Sequence, residues 1–163
     1  IQEMLIQRGY KIIDDDDEKI IAIHKTSKNK ICAFNQSVLK LNIDRIKEFI
    51  STLNKLDCKH CIIVYVKDVT PMAKNFVKTS IVVKMELFKE DELQYNITKH
   101  RLVPLHTKLN NNESKKFIDK YGKKIPQLLV TDPVSRFYNF KRNDIIMITR
   151  NADNYFIAYR IVT

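Results

Sequence analysis

The spacing of apolar positions changes several times along the chain, and each change marks an element. Ile1, Met4 and Leu5 follow helical spacing, and Gly9 is placed to close that helix as a C-terminal cap. Tyr10–Ile13, Ile20–His24 and Ile31–Asn35 then read as short strands separated by polar turns. From Asn42 the period lengthens. Ile43, Ile46, Ile50 and Leu53 form a helical stripe that Asn42 can cap. His60–Val66 is a nearly continuous apolar run, the pattern of a central strand buried on both faces. Thr70-Pro71 supplies a cap followed by proline at the first helical position, which predicts a helix to about Thr79. Ile81–Phe88 reads as one more strand. Alternation of helix and strand over this half predicts an α/β layer structure.

The pattern is different after Tyr95. His100–His106 is expected to be extended, because Pro104 disfavours helix in the residue before it. Asn112-Glu113-Ser114 leads into a helix through Tyr121 that Gly122 stops. Leu128–Thr131 reads as a short strand. Asp132-Pro133 is a second cap-plus-proline start, with Val134, Phe137 and Tyr138 on one helical face. Asp144–Arg150 and Tyr155–Val162 form a predicted antiparallel hairpin joined by Asn151–Asn154. This half is expected to be a small α+β module. No internal repeat and no Gly/Ser linker is apparent, and the division falls as residues 1–94 and 95–163.

Composition sharpens that division. The 163 residues carry a net charge of +10. Residues 1–94 hold 16 basic and 14 acidic side chains, whereas residues 95–163 hold 13 and 5. The excess therefore belongs to the second half, and it points to nucleic acid or an acidic partner. Asp14–Glu18 concentrates five carboxylates and predicts a solvated turn; the alternating ligand spacing of a calcium loop is missing. No apolar run is long enough for a membrane span. Three cysteines do not make a disulfide framework, which points to a reducing compartment. The chain opens at Ile1 in mid-pattern, so its first residues are expected to be missing.

Catalytic chemistry finds little support. Cys58-Lys59-His60-Cys61 has the spacing of half a zinc site or a redox pair, but Cys32, His24, His100 and His106 are scattered and supply no second pair. A coincidental pair at a helix-to-strand junction is the plainer reading. There is no nucleophile elbow, no phosphate-cradling glycine loop and no zinc-protease helix. Glu86 and Lys89 lie three apart on a predicted strand and so face opposite sides, and Asp68 stands alone. No catalytic residue, metal site or cofactor is assigned. Nucleic-acid contact fares better. The helix starting at Thr70-Pro71 presents free N–H groups, with Lys74 and Lys78 one and two turns along. An ordinary capped helix with solvated lysines gives the same pattern. Lys115-Lys116 and Lys141-Arg142 likewise suit phosphate contact or a solvated face.

One series of residues is more specific. His100-Arg101-Leu102-Val103-Pro104-Leu105-His106, Leu109, Tyr121, Asp132-Pro133-Val134-Ser135-Arg136-Phe137-Tyr138, Lys141-Arg142 and Tyr159-Arg160-Ile161-Val162 span about 65 residues in order. They resemble the C-terminal domain of the fifth common subunit of eukaryotic RNA polymerases, a family with archaeal members. Glu3-Met4, Arg8-Gly9-Tyr10 and Thr70-Pro71-Met72-Ala73 are similar to words in the eukaryotic protein's N-terminal jaw domain. That domain is absent from archaeal versions. Asn139 and Asn143 stand where the family usually has glycine, and asparagine is the residue that best tolerates the same left-handed turns. Leu105 replaces a usually charged residue. This divergence, with Lys/Asn/Ile-rich usage, suggests a copy encoded by a large DNA virus.

The resemblance implies an α/β jaw domain with a nuclease-like fold and no active site, followed by a small α+β assembly domain. It implies a non-catalytic subunit of a multisubunit DNA-directed RNA polymerase, without cofactor or membrane. The assembly domain would dock on the largest subunit among the other polymerase subunits, and the jaw would lie along downstream duplex DNA. Thr70 and Pro71, with Lys74 and Lys78, inherit the DNA contact. His100, Pro104, His106, Asp132, Pro133, Arg136, Tyr138, Lys141, Arg142, Tyr159 and Arg160 inherit the fold and docking surface of the assembly domain. Arg160 could anchor the hairpin or face the partner. Localisation would be the site of transcription, meaning a viral factory or virion for a viral protein and the nucleus for a cellular one. A free-standing DNA-binding or nuclease-derived regulatory protein is the alternative, and a metal–thiol protein using Cys58 and Cys61 a more distant one.

Overall fold

A computed structural model describes residues 1–122, 124–151 and 155–163. The chain divides into two compact units, Ile1–Tyr95 and Asn96–Thr163. In the first, helix α1 (Gln2–Gln7) buries Met4 and Leu5 and ends where Gly9 adopts φ 85°. A β-carbon at Gly9 would lie 3.3 Å from the His24 ring, so both backbone angle and space favour glycine there. Strands β1 (Tyr10–Asp15), β2 (Lys19–His24) and β3 (Lys30–Leu41) form an antiparallel meander. Two β-α-β crossovers follow, through helix α2 (Ile43–Lys55), strand β4 (His60–Val69), helix α3 (Pro71–Thr79) and strand β5 (Lys84–Lys89). The five strands lie in sequence order, with β3, β4 and β5 parallel. A short helix, α4 (Glu90–Leu93), ends the unit's regular structure.

Burial explains the arrangement. Ile46, Phe49 and Leu53 of α2 and Ala73 of α3 pack on Cys32, Phe34, Cys61 and Ile63 of the sheet, in one cluster. Phe34 and Phe49 stack with ring centres 4.3 Å apart. Asn42 caps α2 by accepting from the Arg45 amide at 2.9 Å, as expected.

Four expectations are corrected in this unit. β3 does not stop at Asn35 but continues past a register shift between Phe34 and Val38 and pairs with β4 as far as Leu41↔Val69. Phe49 belongs to the buried stripe of α2, whereas Ile43 and Ile50 are only half-buried. Ile81 and Val82 are 98 % and 78 % exposed and precede β5 rather than opening it. The acidic turn is shorter than Asp14–Glu18, since Asp14 and Asp15 complete β1. Lys19 answers the turn directly, pairing with Asp16 at 2.9 Å.

The second unit is a four-stranded sheet in the order β6-β8-β9-β7. Its strands are β6 (Leu105–Lys108), β7 (Gln127–Leu128), β8 (Ile145–Asn151) and β9 (Tyr155–Val162). A 3-10 turn (Ile97–Lys99) comes first, and helices α5 (Asn111–Tyr121) and α6 (Pro133–Tyr138) lie between the strands. β8 and β9 form the expected antiparallel hairpin, whose connecting residues 152–154 lie outside those described. Leu128, Phe140, Ile146, Ile148 and Val162 cluster in the core. His100–His106 is not extended throughout: the Val103 amide bonds the His100 carbonyl at 2.9 Å, making a turn before β6. α5 starts at Asn111, one residue before the expected Asn112, and is capped by a reciprocal pair between Asn110 and Glu113. The strand expected at Leu128–Thr131 shrinks to Gln127–Leu128.

Candidate functional site

The start of α3 follows from its sequence. Thr70 is extended and accepts from the Ala73 amide at 3.3 Å, while Pro71 takes the first helical position. The Thr70 amide donates to the Leu41 carbonyl at 3.0 Å, so the helix start is tied to the far end of β3. Pro71, Met72, Lys74 and Lys78 are exposed. Lys40 and Asp68 are paired neighbours at the same strand ends, and Lys67 is exposed nearby. Lys40 was not legible as part of this edge, because its membership depends on β3 running past Asn35. The result is a helix N-terminus with exposed lysines on the carboxyl edge of a parallel sheet, an arrangement that suits an anionic group.

The same unit holds a second polar arrangement that sequence spacing did not indicate. Glu86 alternates with Met85 and Leu87, which pack on the α2 side, so its carboxylate lies on the opposite face of β5. There Arg8 grips it from two nitrogens, at 3.1 and 2.9 Å, and His60 Nε2 lies 2.6 Å from Oε1. Burial alone would push the Glu86 carboxyl up. The His60 hydrogen bond and the Arg8 guanidinium outweigh it and hold the group down to about 2. Burial lowers the His60 pKa, although the hydrogen bond to Glu86 opposes the shift. With Arg8 neutralising the carboxylate, a neutral imidazole donating from Nε2 satisfies the geometry. Lys89 takes no part and pairs with Asp91 at 2.6 Å. All three cysteines are buried free thiols. Burial raises all three thiol pKa values, that of Cys32 to about 12. Among the described residues no group of His, Cys, Asp or Glu is arranged to hold a metal ion.

In the second unit the singled-out residues divide by what they touch. Asp132 caps α6 through the Val134 amide at 2.8 Å and the Ser135 amide at 3.4 Å, with Pro133 exposed beside it. Tyr138 stacks on Phe140 at 5.3 Å, and burial raises its pKa. Asn139 and Asn143 have φ of 57° and 70°, so both asparagines occupy the left-handed turns expected of them. Pro104 offers its carbonyl to His106 Nδ1 at 2.8 Å. Tyr159 packs on Phe117 with ring centres 4.5 Å apart. Arg160 donates to the Gln127 carbonyl at 3.2 Å, so it ties the hairpin to β7. Arg136 is half-buried, whereas His100, Lys141 and Arg142 are exposed. The residues thus do not converge on one site. Sequence spacing also missed a cross-strand row, Leu105–Thr149–Ile157, whose two apolar members are 61 % and 50 % exposed.

Known proteins place this architecture in transcription. The family described as RNA polymerase Rpb5, C-terminal domain, matches residues 95–162. A protein of Invertebrate iridescent virus 6, provisionally named DNA-directed RNA polymerase subunit 454R, is 33 % identical, with 99 % of this chain and 95 % of that protein covered. The Dictyostelium discoideum protein named DNA-directed RNA polymerases I, II, and III subunit rpabc1 is 29 % identical, covering 82 % of this chain and 72 % of the relative. Among solved structures, an ATP-dependent Type ISP restriction-modification enzyme, LlaBIII bound to DNA, matches 78 % of this chain and 10 % of its own length. That match has a TM-score of 0.45 at 14 % identity. The class is that of a DNA-directed RNA polymerase subunit. Within that class, the chain belongs to the Rpb5 family.

Proposed function

We propose that this chain is a non-catalytic subunit whose second unit docks on the largest subunit of a multisubunit RNA polymerase and whose first unit serves as the jaw beside downstream duplex DNA. The observation that carries the reading is likeness to a viral polymerase subunit over 99 % of the chain. Two surfaces support the division of labour. Exposed Leu105 and Ile157 belong to the half of the chain that carries 13 basic and 5 acidic side chains, which suits a partner with an apolar patch and an acidic rim. His100, Lys141 and Arg142 supply exposed polar contacts beside exposed Pro133, while Asp132, Tyr138, Tyr159 and Arg160 hold the fold that presents them.

In the first unit, the α3 start offers Thr70, Pro71, Lys74 and Lys78 to a phosphate backbone, with Lys40 on the same edge. Contact there is local, since residues 1–94 have a net charge of only +2. Glu86 has no role in cleavage on this reading, because Arg8 and His60 occupy its carboxylate. The protein acts where its polymerase transcribes: the viral factory or virion for a viral polymerase, the nucleus for a cellular one. Photo-crosslinking in the assembled polymerase tests the arrangement. A probe at Lys74 should reach downstream DNA and a probe at Arg142 should reach protein; the reverse pattern would refute it.

A further inference from the structure

The β1–β2 hairpin carries a feature that neither DNA contact nor assembly uses. Helix α2 covers β3 and its neighbours, and its end is marked by Leu56, whose carbonyl accepts from Lys30 Nζ at 3.4 Å. Beyond that point Lys11 and Lys30 are exposed and Ile23 is half-buried. Lys11, Ile23 and Lys30 form one cross-strand row there. An open groove of about 680 Å³ lies against the hairpin, lined by Lys11, Ile12, Ile13, Ile23, Lys25 and Lys28. Ile13 is 56 % exposed at a bulge in β1. Three lysines and three isoleucines line the groove, and among the described residues no carboxylate does.

The hairpin is also polarised along its length. The end of β1 and the turn after it hold the acidic run from Asp14 to Glu18, and the opposite end holds Lys11, Lys25, Lys28 and Lys30. That basic end is fixed in place. His24 Nδ1 accepts from the Thr26 and Ser27 amides at 3.3 and 3.1 Å, and the Lys25 amide donates to the Gly9 carbonyl at 2.9 Å. A partner would therefore meet a preorganised surface and lose little by ordering it.

We propose that this groove binds an acidic polypeptide segment in which Asp or Glu alternates with apolar side chains. Lysines supply the complementary charge and the isoleucines take the apolar residues. A nucleic-acid backbone would satisfy the lysines but leave the isoleucines in water, since isoleucine neither stacks on bases nor bonds their edges. The bulge at Ile13 disrupts ladder pairing on β1, so the segment lies on the face of the hairpin rather than adding a strand to its edge.

The test uses the full chain and a fluorescein-labelled peptide alternating glutamate with leucine. Saturable binding is expected, with amide shifts confined to Lys11–Ile13 and Ile23–Lys30. Lys11→Glu combined with Lys25→Glu should weaken it about tenfold. Ile13→Ser should weaken it as well, and unchanged melting of these exposed-site variants separates lost binding from lost folding. Equal affinity for a peptide with serine in place of leucine would overturn the proposal. So would preferential binding of duplex DNA at the same residues, or no saturable binding at all.

Discussion

Arg8 and Glu86 stand 78 positions apart and meet in a two-point ion pair, and His60 bonds the same carboxylate. The Arg8 and Glu86 side chains are only 4 % and 13 % exposed. The pair ties the end of α1 to β5, across a sheet whose other face is packed by α2 and α3. Removing either member takes the opposite charge away from a group that stays buried. Glu86→Ala or Arg8→Ala should therefore cost about 3–5 kcal/mol in chemical denaturation. Arg8→Lys should also destabilise, because an ammonium cannot reproduce the two-point contact.

The same cluster sets a pH dependence. Folding lowers the His60 pKa, so protonation favours the unfolded chain and stability starts to fall as pH drops below 6.5. Folding also lowers the Glu86 pKa, so its contribution is complete above 4.5 and is lost as pH falls toward about 2. Denaturation midpoints measured from pH 7 to pH 3 should decline in two stages. His60→Gln should remove the upper stage and keep the lower one.

Asn139 and Asn143 give a backbone prediction. Both have positive φ, which glycine adopts freely and alanine does not. Alanine at either site should cost about 1 kcal/mol, whereas glycine should be close to neutral. Thermal melting of the four single variants checks this.

Buried thiols should behave as core residues. Burial raises the pKa of Cys32, Cys58 and Cys61, so a thiol reagent near neutral pH should label the native chain far more slowly than the unfolded one. Removing metal with a chelator should leave the melting temperature unchanged.

Legibility followed the range of the interactions. The caps at Asn42, Thr70 and Asp132 and the β8–β9 pairing were readable because each depends on residues close in sequence. Features set by distant partners were not. β3 reaches Leu41 only because β4 pairs with it, and that extension alone brings Lys40 to the α3 edge. Ile81 and Val82 look like strand residues by composition, yet the ladder with β4 begins at Lys84. Arg8, His60 and Glu86 gave no spacing signal, since three separate elements supply them. The family resemblance was legible because short runs such as Asp132-Pro133 and Tyr159-Arg160 fix local caps and strand contacts.

The proposed assembly surface can be probed through the exposed apolar row of Leu105 and Ile157. Leu105→Asp combined with Ile157→Asp should reduce recovery of the largest polymerase subunit by at least about tenfold, with little effect on the melting of the isolated chain. Pro71→Ala combined with Lys74→Glu should leave recovery intact and weaken contact with downstream DNA.

Affinity purification of the tagged full chain from cells carrying out its transcription is the most direct measurement. The account predicts that the largest RNA polymerase subunit is recovered with it in equal stoichiometry; recovery of the chain alone, or with DNA but without that subunit, would contradict it.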